Sequence, residues 1–189
     1  MAISAGRGQA ALRRARWSVA GAEYFLTICT NRRRRGLEDP LTQGSILAAA
    51  KRMNEEAVWK LRTAVVMRDQ VHLLIALGER MELAEAVRLF KGRSSVALRR
   101  VGLLGQAGYF EHRMRNEEKL LPVFQYIFLN PYHSGLLNAD EKWAGYFCSD
   151  EDWAWLRRSL KQRSHSRSGL GRSPFSALRR EGGRRLIAA

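Results

Sequence analysis

The sequence predicts an α+β domain of the ferredoxin-like split βαβ type, an antiparallel sheet with helices on one face and an added C-terminal helix carrying Tyr126. Three observations predict it. Segments of strand-like and helix-like periodicity follow one another as β-α-β-β-α-β. The middle strands, Leu61 to Met67 and Val71 to Leu77, are joined through Arg68-Asp69, as in an antiparallel hairpin. Finally, 189 residues, 46% of them hydrophobic, suit one domain with tails.

Taken in order, residues 1–16 hold Arg7, Arg13, Arg14 and Arg16 without a clear period and read as a basic arm. Tyr24 to Thr30 is rich in β-branched and aromatic residues and reads as a central strand. It ends at Asn31 and the run Arg32 to Arg35, with a loop from Gly36 to Pro40. A helix is expected from about Thr42-Gln43-Gly44-Ser45, with Ile46, Ala49, Ala50, Met53, Ala57 and Val58 at helical spacing up to about Trp59. After the hairpin, Leu83, Ala84, Val87, Leu89 and Phe90 support a second helix ending near Arg100, weakened at Gly92. Gly102, Gly105 and Gly108 mark a loop before a fourth strand, Tyr109 to Met114. Asn116 is an N-cap candidate, with Glu117 and Glu118 in the first turn of the next helix. Pro122 argues for a later start, and the helix should stop near Asn130-Pro131. Trp143, Tyr146, Phe147, Trp153 and Trp155 should pack back as a small cap. The domain is drawn at residues 17–156, and 157–189, rich in Arg, Ser and Gly, reads as a basic tail unlikely to fold alone.

Lys and Arg number 33 against 18 Asp and Glu, a net charge of +15, which implies attraction to a polyanion, most simply nucleic acid. No apolar run is long enough to span a bilayer, and Met1 to Arg7 lacks the apolar stretch of a secretion signal, so a cytoplasmic, nucleoid-associated protein is expected. Cys29 and Cys148 lie far apart without a metal-ligand spacing and read as reduced and structural. Arg32, Arg33, Arg34 and Arg35 are either a solvated turn or phosphate contacts. Lys91 and Arg93 lie on a basic helical stretch able to track a DNA backbone, and Arg115 either positions a phosphate or ends a surface strand.

The chemistry-bearing stretch is Val65 to Ile75. Side chains two apart on a strand share a face, so Gln70 and His72 project together. Far downstream, Tyr126 and Asn130 stand one helical turn apart. A phenol nucleophile and polar ligands on a helix, facing a strand with further ligands, would suit phosphodiester cleavage. Taken alone, a histidine after a turn is more often a surface or hydrogen-bonded residue. A Tyr and Asn at this spacing are ordinarily just a helix end, with Pro131 pushing Asn130 toward an extended conformation.

Met67-Arg68-Asp69-Gln70-Val71-His72-Leu73-Leu74 resembles the Met-x-x-His-hydrophobic-His-Leu-Leu segment of HUH single-tyrosine transposases. Glu111 to Asn116, then Tyr126 to Pro131 and Ser134-Gly135-Leu136, resemble the branch called REP-associated tyrosine transposases. The likeness spans roughly Trp17 to Trp155 with the motifs in order. It implies a ferredoxin-like domain acting on single-stranded DNA near hairpins, through a tyrosine that attacks a phosphodiester to form a 5′-phosphotyrosine link. It implies Tyr126 as nucleophile, with His72, Asn130 and Gln70 holding a divalent cation, magnesium or manganese. Gln70 departs from the pattern, standing where the first histidine belongs. A Gln amide offers magnesium an oxygen but is a weaker donor than imidazole, so manganese affinity should fall most.

The first expectation is therefore a metal-assisted DNA transposase cutting and joining hairpin-bearing single strands. The rival is a binder of hairpin or REP elements, with the chemistry weakened at Gln70. A third, an RNA-binding ferredoxin-like domain, ranks lower because the strands lack a paired aromatic motif. Related transposases include dimers that exchange the tyrosine helix and others that look monomeric, and the sequence leaves both a homodimer and a monomer open.

Overall fold

The computed structural model describes residues 18–115, 120–138, 140–165 and 187–188. In chain order these form β1 (Glu23–Cys29), a short 3-10 turn (Asn31–Arg33), α1 (Pro40–Glu55), β2 (Trp59–Val66) and β3 (Gln70–Leu77). Then come α2 (Leu83–Arg100), β4 (Gly108–Arg113), α3 (Leu120–His133), β5 (Tyr146–Cys148), α4 (Asp150–His165) and β6 (Ile187–Ala188). The sheet order is β5-β2-β3-β1-β4-β6, and every pairing is antiparallel. The four central strands, β2-β3-β1-β4, carry the expected split βαβ order, and the fold is α+β.

Period-two alternation in the central strands divides the core into two layers. Tyr24, Leu26 and Ile28 of β1, with Val71, Leu73 and Ile75 of β3, pack under α1 and α2. Phe25 and Leu74 face the other way and meet Phe124 and Ile127 of α3 and Leu156 of α4. Between Leu61 and Thr63 the β2 register shifts, so Leu61 and Ala64 lie in the first layer while Val65 joins the second. The bulge frees Arg62, whose guanidinium pairs with Glu23 and Asp152 and lies 5.3 Å over the Phe124 ring. A buried cation is tolerated only with partners of this kind.

Several sequence expectations need correction. Helix α1 starts at Pro40, because Asp39 caps it by accepting from the Thr42 N–H at 2.7 Å and Pro40 fits the first turn. It stops at Glu55, not near Trp59: Ala57 turns the chain back at φ 55°, and Trp59 enters β2 with its indole N–H donating to the Ala50 carbonyl. Helix α2 passes through Gly92 unbroken, since the stripe Leu83, Ala86, Val87, Phe90 and Ala97 is buried on both sides of it. Helix α3 runs through Asn130 and Pro131 to His133, so Asn130 is helical rather than extended, and the burial of both residues outweighs the proline's missing donor. The chain leaves by way of Gly135 at φ 66°.

The aromatic segment expected as a cap is instead built into the fold. Residues Tyr146–Cys148 extend the sheet beside β2, and Ser149 with Asp152 opens α4 as a reciprocal cap. Helix α4 crosses the boundary drawn at 156 and reaches His165, and β6, within the same predicted tail, pairs with β4. Residues 1–16, Asn116, Glu117, Glu118 and 166–186 lie outside the described residues.

Candidate active site

Antiparallel register places the two expected halves together. His72 pairs with Thr27 and Gln70 with Cys29, and all four lie on strand positions of the same parity as Phe25 and Leu74, which face α3. Across the layer, Tyr126 meets His72 edge-on, with ring centroids 5.4 Å apart and an interplanar angle of 72°. Phe25 stacks on His72 at 5.6 Å and 13°, and meets Tyr126 edge-on at 5.8 Å. The phenol ring of Tyr126 is thus fixed against an aromatic wall made by two strands.

His72 is 2% exposed. Its Nδ1 lies 2.9 Å from Thr27 Oγ1, while Nε2 is buried with no hydrogen-bond partner among the described residues. Burial pulls the imidazole down to about 3, and the Arg33 charge pushes the same way, so the ring is neutral near pH 7. With the proton on Nδ1 and held by Thr27, Nε2 keeps its lone pair.

Gln70 is engaged otherwise. Its Oε1 accepts from Arg33 Nη1 at 2.6 Å, and the same nitrogen lies 3.0 Å from Cys29 Sγ. Arg33 Nε also pairs with Asp69 at 2.9 Å. The turn carrying Arg33 is strained, with Arg32 at φ 56° and Arg33 at φ 55°, and is tied down through Thr30, whose N–H donates to the Asp69 carbonyl. Asn130 is buried one turn from Tyr126, and its Oδ1 accepts from Ser134 Oγ at 3.4 Å.

Of the three expected metal ligands, His72 presents a buried Nε2 with no hydrogen-bond partner among the described residues. The other two already accept hydrogen bonds: the Gln70 oxygen from the Arg33 guanidinium, and the Asn130 oxygen from Ser134. A divalent ion at Gln70 would sit against the Arg33 charge, so in this arrangement the donor set does not fit one. Among the described residues there is also no cluster of three or more His, Cys, Asp or Glu side chains.

The basic residues separate into two kinds. Arg32, Arg34, Arg35 and Arg115 are exposed. Lys91 instead donates to the Ala107 carbonyl at 2.6 Å, with burial holding its amine below the usual range, and Arg93 pairs with Glu56 at 2.8 Å. Arg93 thus has its charge matched by a carboxylate, while the Lys91 amine rests on a neutral carbonyl. Sequence reasoning missed Thr27 and Phe25 as the supports of His72; aligning β1 against β3 by parity finds both. Neither cysteine is in a disulfide, and burial pushes the Cys148 thiol up to about 11. No helix among the described residues is long and apolar enough to cross a membrane.

Comparison with known proteins bears on the fold and the family. The chain is similar to the solved structure of a REP-associated tyrosine transposase bound to a REP hairpin, at 22% identity and a TM-score of 0.53, covering 65% of this chain and 73% of that one. At that identity the likeness concerns the fold. A second structure, from Deinococcus radiodurans and described as a transposase, is 19% identical over 72% of this chain and all of its own, with a TM-score of 0.44, too loose to add to the fold. No curated protein matches. The family model for IS200-like transposases matches residues 18–114, from the start of the sheet to the end of β4 and short of α3. The chain belongs to the IS200-like transposase family.

Proposed function

We propose that this protein cuts and rejoins single-stranded, hairpin-bearing DNA through Tyr126. The observation that carries the reading is the meeting of Tyr126 with His72: a phenol on a helix, held edge-on over a neutral, buried imidazole in the sheet. Support comes from the net charge of +15, from exposed arginines on the turn beside Gln70, and from a fold shared with a transposase solved on a REP hairpin.

The Tyr126 oxygen attacks phosphorus, forming an O–P bond to the 5′ side of the break. The bond from phosphorus to the 3′-oxygen breaks, and the proton lost by the phenol is matched by the one gained at the 3′-hydroxyl. Reversal on a second strand end rejoins the DNA. His72 and Phe25 are positioning residues that hold the phenol ring, and Thr27 fixes the imidazole. Both faces of the central sheet are covered, by α1 and α2 on one side and α3 and α4 on the other. An RNA-binding mode that stacks bases on an open sheet face is therefore disfavoured.

The test is incubation with a labelled hairpin oligonucleotide carrying a single-stranded flank, followed by denaturing electrophoresis. Wild type should form a covalent protein–DNA species, and Tyr126→Phe should form none while binding the oligonucleotide as before. An adduct of undiminished yield from Tyr126→Phe would refute the assignment. A second reading follows from Gln70: a hairpin binder whose chemistry has lapsed. It predicts tight binding without adduct, with cleavage restored by Gln70→His in manganese.

A further inference from the structure

We propose that the Arg33 guanidinium takes the place of a divalent cation in this site and is the fixed positive charge that receives the DNA phosphate. The inference rests on the reading of Tyr126 above for the identity of the phosphate, and on independent geometry for the charge. Three groups hold Arg33 in place: Gln70 Oε1 at 2.6 Å, Cys29 Sγ at 3.0 Å and Asp69 Oδ2 at 2.9 Å. Gln70 and Cys29 are register partners on the face that carries His72, so the guanidinium stands beside the imidazole, and its charge is felt there.

Chemical fit favours a guanidinium over a metal at this position. A Gln carbonyl oxygen is a good acceptor for N–H and a modest metal ligand, and it is neutral, so it cannot offset a second cation beside Arg33. The guanidinium keeps N–H groups that no described residue engages, and its side chain is 51% exposed, so a phosphodiester can approach from solvent. Two successive left-handed arginines, Arg32 and Arg33, are an unfavourable backbone that tertiary contacts must maintain. A phosphate oxygen bound to Arg33 has its charge partly neutralised as Tyr126 attacks, which is the electrostatic task a bound cation performs.

The experiment compares wild type, Arg33→Gly and Arg33→Lys in two assays. Glycine suits the left-handed φ of residue 33, so Arg33→Gly keeps the turn, and thermal melting checks that each variant folds. First, manganese binding to the protein alone is followed by electron paramagnetic resonance. Wild type should bind poorly, while Arg33→Gly should bind about tenfold more tightly, a gain removed by adding His72→Ala. Second, hairpin oligonucleotide affinity is measured in chelator. Wild type should bind equally with chelator or manganese; Arg33→Gly should lose about tenfold in chelator and recover part of it with manganese, with Arg33→Lys between. Tight manganese binding by wild type, or chelator affinity unchanged in Arg33→Gly, would overturn the proposal. These readouts do not require cleavage, so an absent adduct would count against the tyrosine reading alone.

Discussion

His72 is the residue on which the site turns, and its environment makes a measurable demand. A buried imidazole at about 3, against an ordinary value near 6.5, binds its proton more weakly folded than unfolded. Between those values the unfolded chain carries more protons, so stability rises with pH through the window and is lost as pH falls from about 6.5 toward 3. The slope from this group approaches about 1.4 kcal/mol per pH unit within the window. Urea melts at stepped pH should show this dependence in wild type and a flatter one in His72→Gln; equal slopes would mean that the imidazole is not held neutral by burial. Gln70 with His72, and Tyr126 with Asn130, were legible as two pairs, because strand parity and helical spacing are local properties of sequence; of these four, His72 and Tyr126 meet across the layer. The commitment of Gln70 to Arg33 was not legible. It depends on a turn with two left-handed arginines, and nothing in a run of four arginines says which one reaches Gln70.

Among the elements, β2 and α4 show where the reading of periodicity gave out. The bulge at Arg62 changes the parity of β2 midway, and the strands' hydrophobic alternation masks it because both faces are buried. The same bulge turns Arg62 toward Asp152 in the first turn of α4, at 2.9 Å from Nε, with Glu23 of β1 as the other partner. This pairing docks a segment expected as a loose cap. Removing one member strands the other: Arg62→Met should destabilise the protein by about 3 to 5 kcal/mol in chemical denaturation, a cost typical of an uncompensated buried charge. A loss below about 1 kcal/mol would place the pair among ordinary surface bridges. Replacing Arg62, Glu23 and Asp152 together by apolar residues should cost less than the single change. The strands and α2 were readable because each has a sustained apolar pattern. The ends of α1 and α3 were not, since Ala57 and Pro131 act through tertiary packing rather than local propensity.

At the scale of the molecule, the proposed function makes charge the property to test. The net +15 was read from composition alone, and exposed Arg32, Arg34 and Arg35 carry part of it beside Arg33, which bonds Gln70. Hairpin binding should weaken steeply with salt, and abolishing one arginine–phosphate interaction on a single strand should reduce the log–log slope by about 0.7. Fluorescence anisotropy of Arg34→Ala and Arg35→Ala across a salt series checks this; unchanged slopes in both would move the DNA path elsewhere. Arg93→Ala, by contrast, should leave the slope nearly unaltered, because its guanidinium is already paired with the Glu56 carboxylate.

The central claim is that Tyr126, held against His72, is the residue that takes the DNA strand during transfer. The most direct measurement is proteolysis of the covalent protein–DNA species, followed by mass spectrometry of the nucleotide-bearing peptide. A nucleotide on Tyr126, in a peptide from α3, is the predicted result. A nucleotide on Tyr132 or Tyr109, or no modified tyrosine at all, would contradict it.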